Sequence, residues 1–223
     1  MIVEFAGISG SGKTTALKKF IRASRKNGLR ISKFHRVARE LDLPQHQVDI
    51  SFEAKFPGLQ RKLQTLGKNT AYELNNAAIA RTVWVAGTQR VKQHTLSAID
   101  EGFVHRAAYI AAAGLGKEAF LGILPSLPRP DILIHVDVPL DVAKERYISR
   151  KPEGRKRQRA ENLYQARLED HQKAQSYLTA ARHRFEDFGV TTFLLDNTVG
   201  LETQISRIAK SMSEQIVKTD IAA

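Results

Sequence analysis

A chain of 223 residues with 42% hydrophobic and 26% charged positions fits one large domain with its own core, which excludes a disordered or fibrous protein. Cysteine is absent, so disulfides, thiolate metal sites and a cysteine nucleophile are excluded, and no run approaches the roughly 18 apolar residues of a membrane span. The net charge of +12, from 35 Lys and Arg against 23 Asp and Glu, points to polyanionic partners, with a solvated basic surface as the plainer alternative.

In chain order, Ile2 to Ala6 is an apolar run closed by Gly7 and reads as a buried strand. It leads straight into a motif, which leaves no room for a signal peptide and makes the cytoplasm the expected location. From Lys13 a helical pattern places Leu17, Phe20 and Ile21 on one face, and Asn27-Gly28 stops it. Leu29 to His35 reads as a second strand, and Arg36 to Gln47, with Pro44, as irregular or briefly helical. Thr70 to His94, rich in alanine and free of proline, predicts a helix with Leu74, Ala77, Ala78, Arg81 and Val85 near one side. Leu96 to Ile99 predicts a strand ending at Asp100-Glu101-Gly102, and Ala107 to Phe120 a helix interrupted by Gly114 and Gly116. Asp131 to Val138 reads as a buried strand, after which Asp141 is expected to cap a helix through Arg150. A polar helix is expected from about Glu161 to Phe188, then a strand at Thr191 to Asp196 and a helix from Leu201 to Val217. This alternation predicts the α/β class: three layers, α/β/α, around a mainly parallel five-stranded sheet, in a single domain spanning 1–223.

Gly7-Ile8-Ser9-Gly10-Ser11-Gly12-Lys13-Thr14 matches the phosphate-binding pattern G-x-x-x-x-G-K-[ST], and Thr15 follows. Glycines let a loop wrap an anion with inward N–H groups, and the helix that starts there adds the positive end of its dipole. The pattern predicts an ATP site made by Gly7, Ser9, Gly10, Ser11, Gly12, Lys13, Thr14 and Thr15. Lys13 is expected on the β and γ phosphates and the Thr14 hydroxyl on Mg²⁺.

Ligands of a parallel sheet gather at the carboxyl ends of its strands, so Asp100 and Glu101 are expected beside that loop. Asp100 is assigned to the metal and Glu101 to the base, with the reverse order open. Arg106 is a candidate for the acceptor. Between Arg146 and Arg159 lie Arg146, Arg150, Lys151, Arg155, Lys156, Arg157 and Arg159, with Pro152 and Gly154 among them. Such a run repels itself unless an anion compensates it, so a mobile arginine-rich lid at about 150–160 is expected over a triphosphate, with a basic nucleic-acid face as the alternative.

The order of parts resembles the thymidylate kinase branch of the P-loop nucleoside and nucleotide kinases. GISGSGKTT is similar to that family's opening, Val136 to Arg150 to its strand and helix before the lid, and Arg159, Glu161 and Tyr177 to residues after it. The resemblance implies a P-loop NTPase fold of nucleotide-kinase type, an adenine-nucleotide donor, lid roles for Arg146, Arg150, Arg157 and Arg159, and acceptor roles for Arg36 and Arg81. After the third strand the family has Asp-Arg and then an aromatic residue or histidine, where this chain has Asp100-Glu101-Gly102-Phe103.

The expected function is transfer of the γ-phosphoryl group of ATP, with Mg²⁺, to a small-molecule acceptor such as a nucleoside or nucleoside monophosphate. A nucleotide-gated regulatory protein acting on nucleic acid or a protein partner is the alternative, and a polynucleotide 5'-kinase a third reading. Expected partners are ATP and the acceptor, then nucleic acid, with a homodimer allowed and no membrane.

Overall fold

The computed structural model describes residues 1–33, 44–59, 61, 81, 84, 85, 88, 96–114 and 116–221. β1 (Ile2–Ala6), β3 (Leu96–Asp100), β4 (Ile132–Asp137) and β5 (Thr191–Asp196) form an all-parallel sheet, and the three-residue β2 (Ile31–Lys33) extends it beside β3. The order β2-β3-β1-β4-β5 makes β1 central, with the earlier strands on one side and the later ones on the other. The chain leaving Ala6 therefore emerges where the winding reverses, the place where open parallel sheets hold ligands.

Alternation along the strands sends side chains into two cores. Val3, Phe5, Ile132, Ile134 and Val136 join Leu17 and Phe20 of α1 (Lys13–Lys26) and Ile205, Ile208 and Met212 of α8 (Leu201–Ile221). Ala6 and Leu133 join the opposite core with α2 (Gln45–Lys55), α3 (Phe103–Ala112), α4 (Lys117–Ile123) and α7 (Leu168–Asp187). α7 shows why it forms: His171, Ala174, Tyr177, Leu178, Ala181 and Phe185 are buried at helical spacing, and the intervening positions are charged or polar apart from Ala180. Helices thus cover both faces of the sheet. Among the described residues no helix is long and apolar enough to cross a membrane.

Several boundaries differ from expectation. Of the stretch at 36–47, expected to be irregular or briefly helical, residues 45–47 open α2 with Pro44 as its N-cap, and residues 36–43 lie outside the described residues. Asp141 does not cap α5 (Leu140–Ser149): Pro139 holds that position, and Asp141 lies in the first turn, where its charge suits the dipole. The long polar helix is two helices, α6 (Arg155–Ala166) and α7, separated at Arg167, where φ is −113° and ψ is 14°. Glu169 and Asp170 in the first turn of α7 are the start signal, with Arg167 Nε 3.8 Å from Asp170. α3 begins at Phe103, earlier than expected, since Gly102 directly precedes it as N-cap. Of the expected helix at 70–94, Arg81, Trp84, Val85 and Thr88 are helical and the remainder lies outside the described residues.

Candidate functional site

The loop from Gly7 to Thr14 joins the carboxyl end of β1 to α1 and is almost wholly buried up to Lys13. Gly10 and Gly12 both have φ of 89°, a left-handed backbone suited to glycine. Space is also closed to a side chain: a Cβ on Gly10 would lie 2.0 Å from the Ala143 carbonyl oxygen, and one on Gly12 2.2 Å from Asn197 Nδ2. Neighbouring elements hold the loop in shape. Ser9 N–H donates to the Tyr109 hydroxyl at 2.9 Å, and that hydroxyl lies 2.9 Å from His171 Nδ1. Asn197 Nδ2 donates to the Ser11 carbonyl at 2.6 Å, and Arg146 Nη2 to the Asn197 carbonyl at 2.8 Å. α1 has no side-chain cap, which leaves its first-turn N–H groups for an anion.

Register brings the acidic strand end to this loop, since Phe5 of β1 pairs with Asp100 of β3. The Thr14 hydroxyl donates to Asp100 Oδ2 at 2.6 Å, while Lys33 Nζ stands 3.8 Å from Oδ1. Lys13 is 5% exposed, and its Nζ donates to the Ile8 carbonyl at 2.9 Å and lies 3.7 Å from Glu101 Oε1. Burial lowers the Lys13 pKa below its ordinary value, with Glu101 and Asp100 opposing and Arg150 reinforcing that shift. Glu101 has φ of 64°, and cations surround it: besides Lys13, Arg106 Nη2 lies 3.9 Å from Oε2, and Arg106 Nε donates to the Glu101 carbonyl at 2.9 Å. His105 Nε2 is 4.0 Å from Glu101 Oε1. Burial holds His105 well below the ordinary histidine range, aided by the charges of Lys13 and Arg106, so its imidazole is neutral at pH 7.

The arginines divide into two groups. Arg146 sits against the loop, its Nη1 buried without a hydrogen-bond partner, and Arg150 is close enough for its charge to act on Lys13. Arg157 and Arg159 are exposed, and Arg157 Nη1 lies 3.9 Å from Glu153. The expected mobile loop is shorter than 150–160: only residues 150–154 are non-helical between α5 and α6, because the arginine, lysine, glutamine and alanine that follow Gly154 are good helix formers. Arg106 braces Glu101 through its side-chain and backbone contacts. Arg81 is 7% exposed, 3.4 Å from Asp49 through Nη2, with Nε and Nη1 lacking hydrogen-bond partners. Arg36 lies outside the described residues. Tyr177 packs face to face on Phe120 at 5.7 Å, as a core residue.

A cavity of 540 Å³ lies elsewhere, lined by Ile2, Phe52, Phe56, Trp84, Arg129 and Asp131 among others. It opens at the amino-terminal ends of β1 and β4. Carboxyl ends are where a parallel sheet presents loop amides and helix N-termini, so the converging polar groups locate the site better than cavity size does. Comparison of the sequence with protein-family profiles and with curated proteins finds no match.

Chemically, the arrangement offers glycine-loop backbone N–H groups, one buried ammonium group and two carboxylates at the carboxyl end of an adjacent strand. Among the described residues no group of three or more His, Asp or Glu could hold a metal ion. The paired hydroxyl and carboxylate of Thr14 and Asp100 fit a Mg²⁺ ion that keeps water and takes phosphate oxygens as its other ligands. Sequence reasoning missed Glu4, Lys33, His105, Tyr109 and Asn197. Glu4 had a signal, as the charged residue inside an apolar strand; Asn197 had one too, directly after a strand's carboxyl end. Tyr109 and His105 had none.

Proposed function

We propose that the chain is a P-loop NTPase of the nucleotide-kinase type, in which a three-layer fold around a five-stranded sheet carries γ-phosphoryl transfer from ATP to a small-molecule hydroxyl or phosphate. A nucleoside or nucleoside monophosphate is the leading acceptor class. One observation carries the reading: Lys13 and Thr14, at the start of α1, both reach the Asp100-Glu101 turn of the neighbouring strand. That is the juxtaposition phosphoryl transfer requires, a cation and a hydroxyl on the donor side facing carboxylates that serve metal or acceptor.

In this reading loop amides bind the phosphates and Lys13 exchanges its Ile8 contact for phosphate oxygens. Arg146, beside the loop, and Arg150, whose charge acts on Lys13, offset the charge that spreads over the moving group. Glu101 or Asp100 accepts the acceptor's proton, the other serving the metal. Mg²⁺, held through Thr14 and whichever of the two carboxylates does not serve as base, would neutralise charge on the phosphate oxygens. Calorimetry of MgATP binding, followed by an ATP-consumption panel over nucleosides, nucleoside monophosphates, sugars and short oligonucleotides, tests the proposal. Saturable heat is expected from the wild type and a loss of about a hundredfold or more in turnover from Lys13→Ala. An absence of heat with the wild type, or unimpaired turnover in the variant, would refute it.

The exposed cations of α6 favour one second reading, a nucleotide-gated protein acting on nucleic acid. Oligonucleotide binding whose affinity falls steeply with salt, without acceptor phosphorylation, would select it.

A further inference from the structure

Glu4 stands in the central strand at 3% exposure, on the side of β1 that meets α3. A buried carboxylate is costly unless hydrogen bonds compensate it. Here Oε1 accepts the His105 N–H at 3.0 Å, and the N–H groups of Phe103 and Val104 serve the same carboxylate. α3 has Gly102 at its N-cap and no side-chain cap of its own. Glu4, from another element, therefore does for α3 what an N-cap side chain does for most helices.

Gly102 follows from this. Its φ of −74° suits any residue, yet a Cβ there would lie 2.5 Å from Glu4 Cδ and 2.6 Å from Oε2. Space, not conformation, demands glycine. On the other side of the turn the Glu101 N–H donates to the Phe5 carbonyl at 3.2 Å. Adjacent residues of β1 thus pin the turn before and after Glu101, whose φ of 64° is the one positive value among described non-glycine residues. A left-handed glutamate is strained and persists only where its surroundings over-determine it.

We propose that Glu4 is the positioning residue of the site: by capping α3 against Gly102 it holds Glu101 in the left-handed form that aims its carboxylate at Lys13. The inference rests on the reading of Asp100 and Glu101 as groups of the transfer site. A double-mutant cycle on Glu4 and Gly102 tests it. Gly102→Ala and Glu4→Ala are each expected to lower kcat about tenfold or more while KM for ATP stays within about threefold, since the phosphate loop is untouched. In the Glu4→Ala background, where Cδ is gone, Gly102→Ala is expected to cost less than about threefold further. Glu4→Gln keeps both bulk and an acceptor oxygen, so it is expected to retain kcat within about threefold and leave the Gly102→Ala loss in full. Equal Gly102→Ala losses in the wild-type and Glu4→Ala backgrounds, or a Glu4→Ala enzyme with wild-type kcat, overturn the proposal. Thermal melts of the same proteins read the coupling without activity, and additive changes in Tm overturn it as well. Failure of the wild type to take up ATP sinks the reading of the site, and the melts then still decide the role of Glu4.

Discussion

Burial of Glu4 has a second effect at the scale of a single side chain. Desolvation pushes its pKa from the ordinary 4.5 up to about 7, against three backbone N–H groups and the Arg106 charge that favour the ionised form. A native pKa above the unfolded one means that the folded state holds the proton more tightly. The associated stability is whole below about pH 4.5 and is lost as pH rises through about 7, a difference of roughly 3 kcal/mol at one pKa unit per 1.36 kcal/mol. Glu4→Gln cannot titrate. Its melting temperature minus that of the wild type is therefore expected to climb between pH 5 and pH 8, whatever constant offset the amide introduces. Parallel melting curves for the two proteins across that window would show that the carboxylate does not change protonation on unfolding there.

Among the elements, α6 is built against its own electrostatics. Its first turn opens with Arg155, Lys156 and Arg157, no acidic residue lies there, and Arg159 follows. Cations at a helix N-terminus oppose the dipole, and Glu153, 3.9 Å from Arg157, offsets this from a solvated position. An arriving triphosphate would reverse the balance. Amide exchange at 155–159 is expected to slow when MgATP binds, and Arg157→Ala and Arg159→Ala to lower kcat about tenfold with less change in KM. Unchanged exchange, or losses confined to KM, would place α6 outside the reaction. The same element marks the limit of what its sequence disclosed. Strands were legible wherever an apolar run met Gly, Pro or Asp, as at Ile2–Ala6 and Ile132–Asp137, because a buried strand needs little beyond that pattern. α6 was not, since a dense charge run suits a loop as well as an exposed helix. The glycine loop was visible as a local pattern and its acidic neighbour as a strand end. The braces were hidden: Ser9 with Tyr109 and Ser11 with Asn197 join residues 100 and 186 positions apart, and no periodicity encodes such pairs.

For the whole molecule, a charge of +12 makes any polyanion a stabilising ligand at low salt, so stabilisation by ATP is not by itself evidence for a built site. Salt separates the two cases. At 1 M salt the Debye length is about 3 Å, which screens exposed charges but leaves short contacts with buried groups largely intact. Lys13 is buried, and the loop that precedes it is nearly all enclosed, so phosphate held there depends on such contacts. With MgATP at a hundred times its Kd, linkage contributes about 2.7 kcal/mol, a rise in Tm of roughly 5 to 10 °C for a chain of this size. At fixed ATP, at least about half of that rise is expected to survive the change from 0.15 M to 1 M KCl, because few phosphates are involved. A single-stranded oligonucleotide, bound across the exposed arginines of α6, should lose its effect over the same range. If the ATP shift vanishes alongside it, nucleotide is held by surface charge, and the Gly7–Thr14 loop is not its seat.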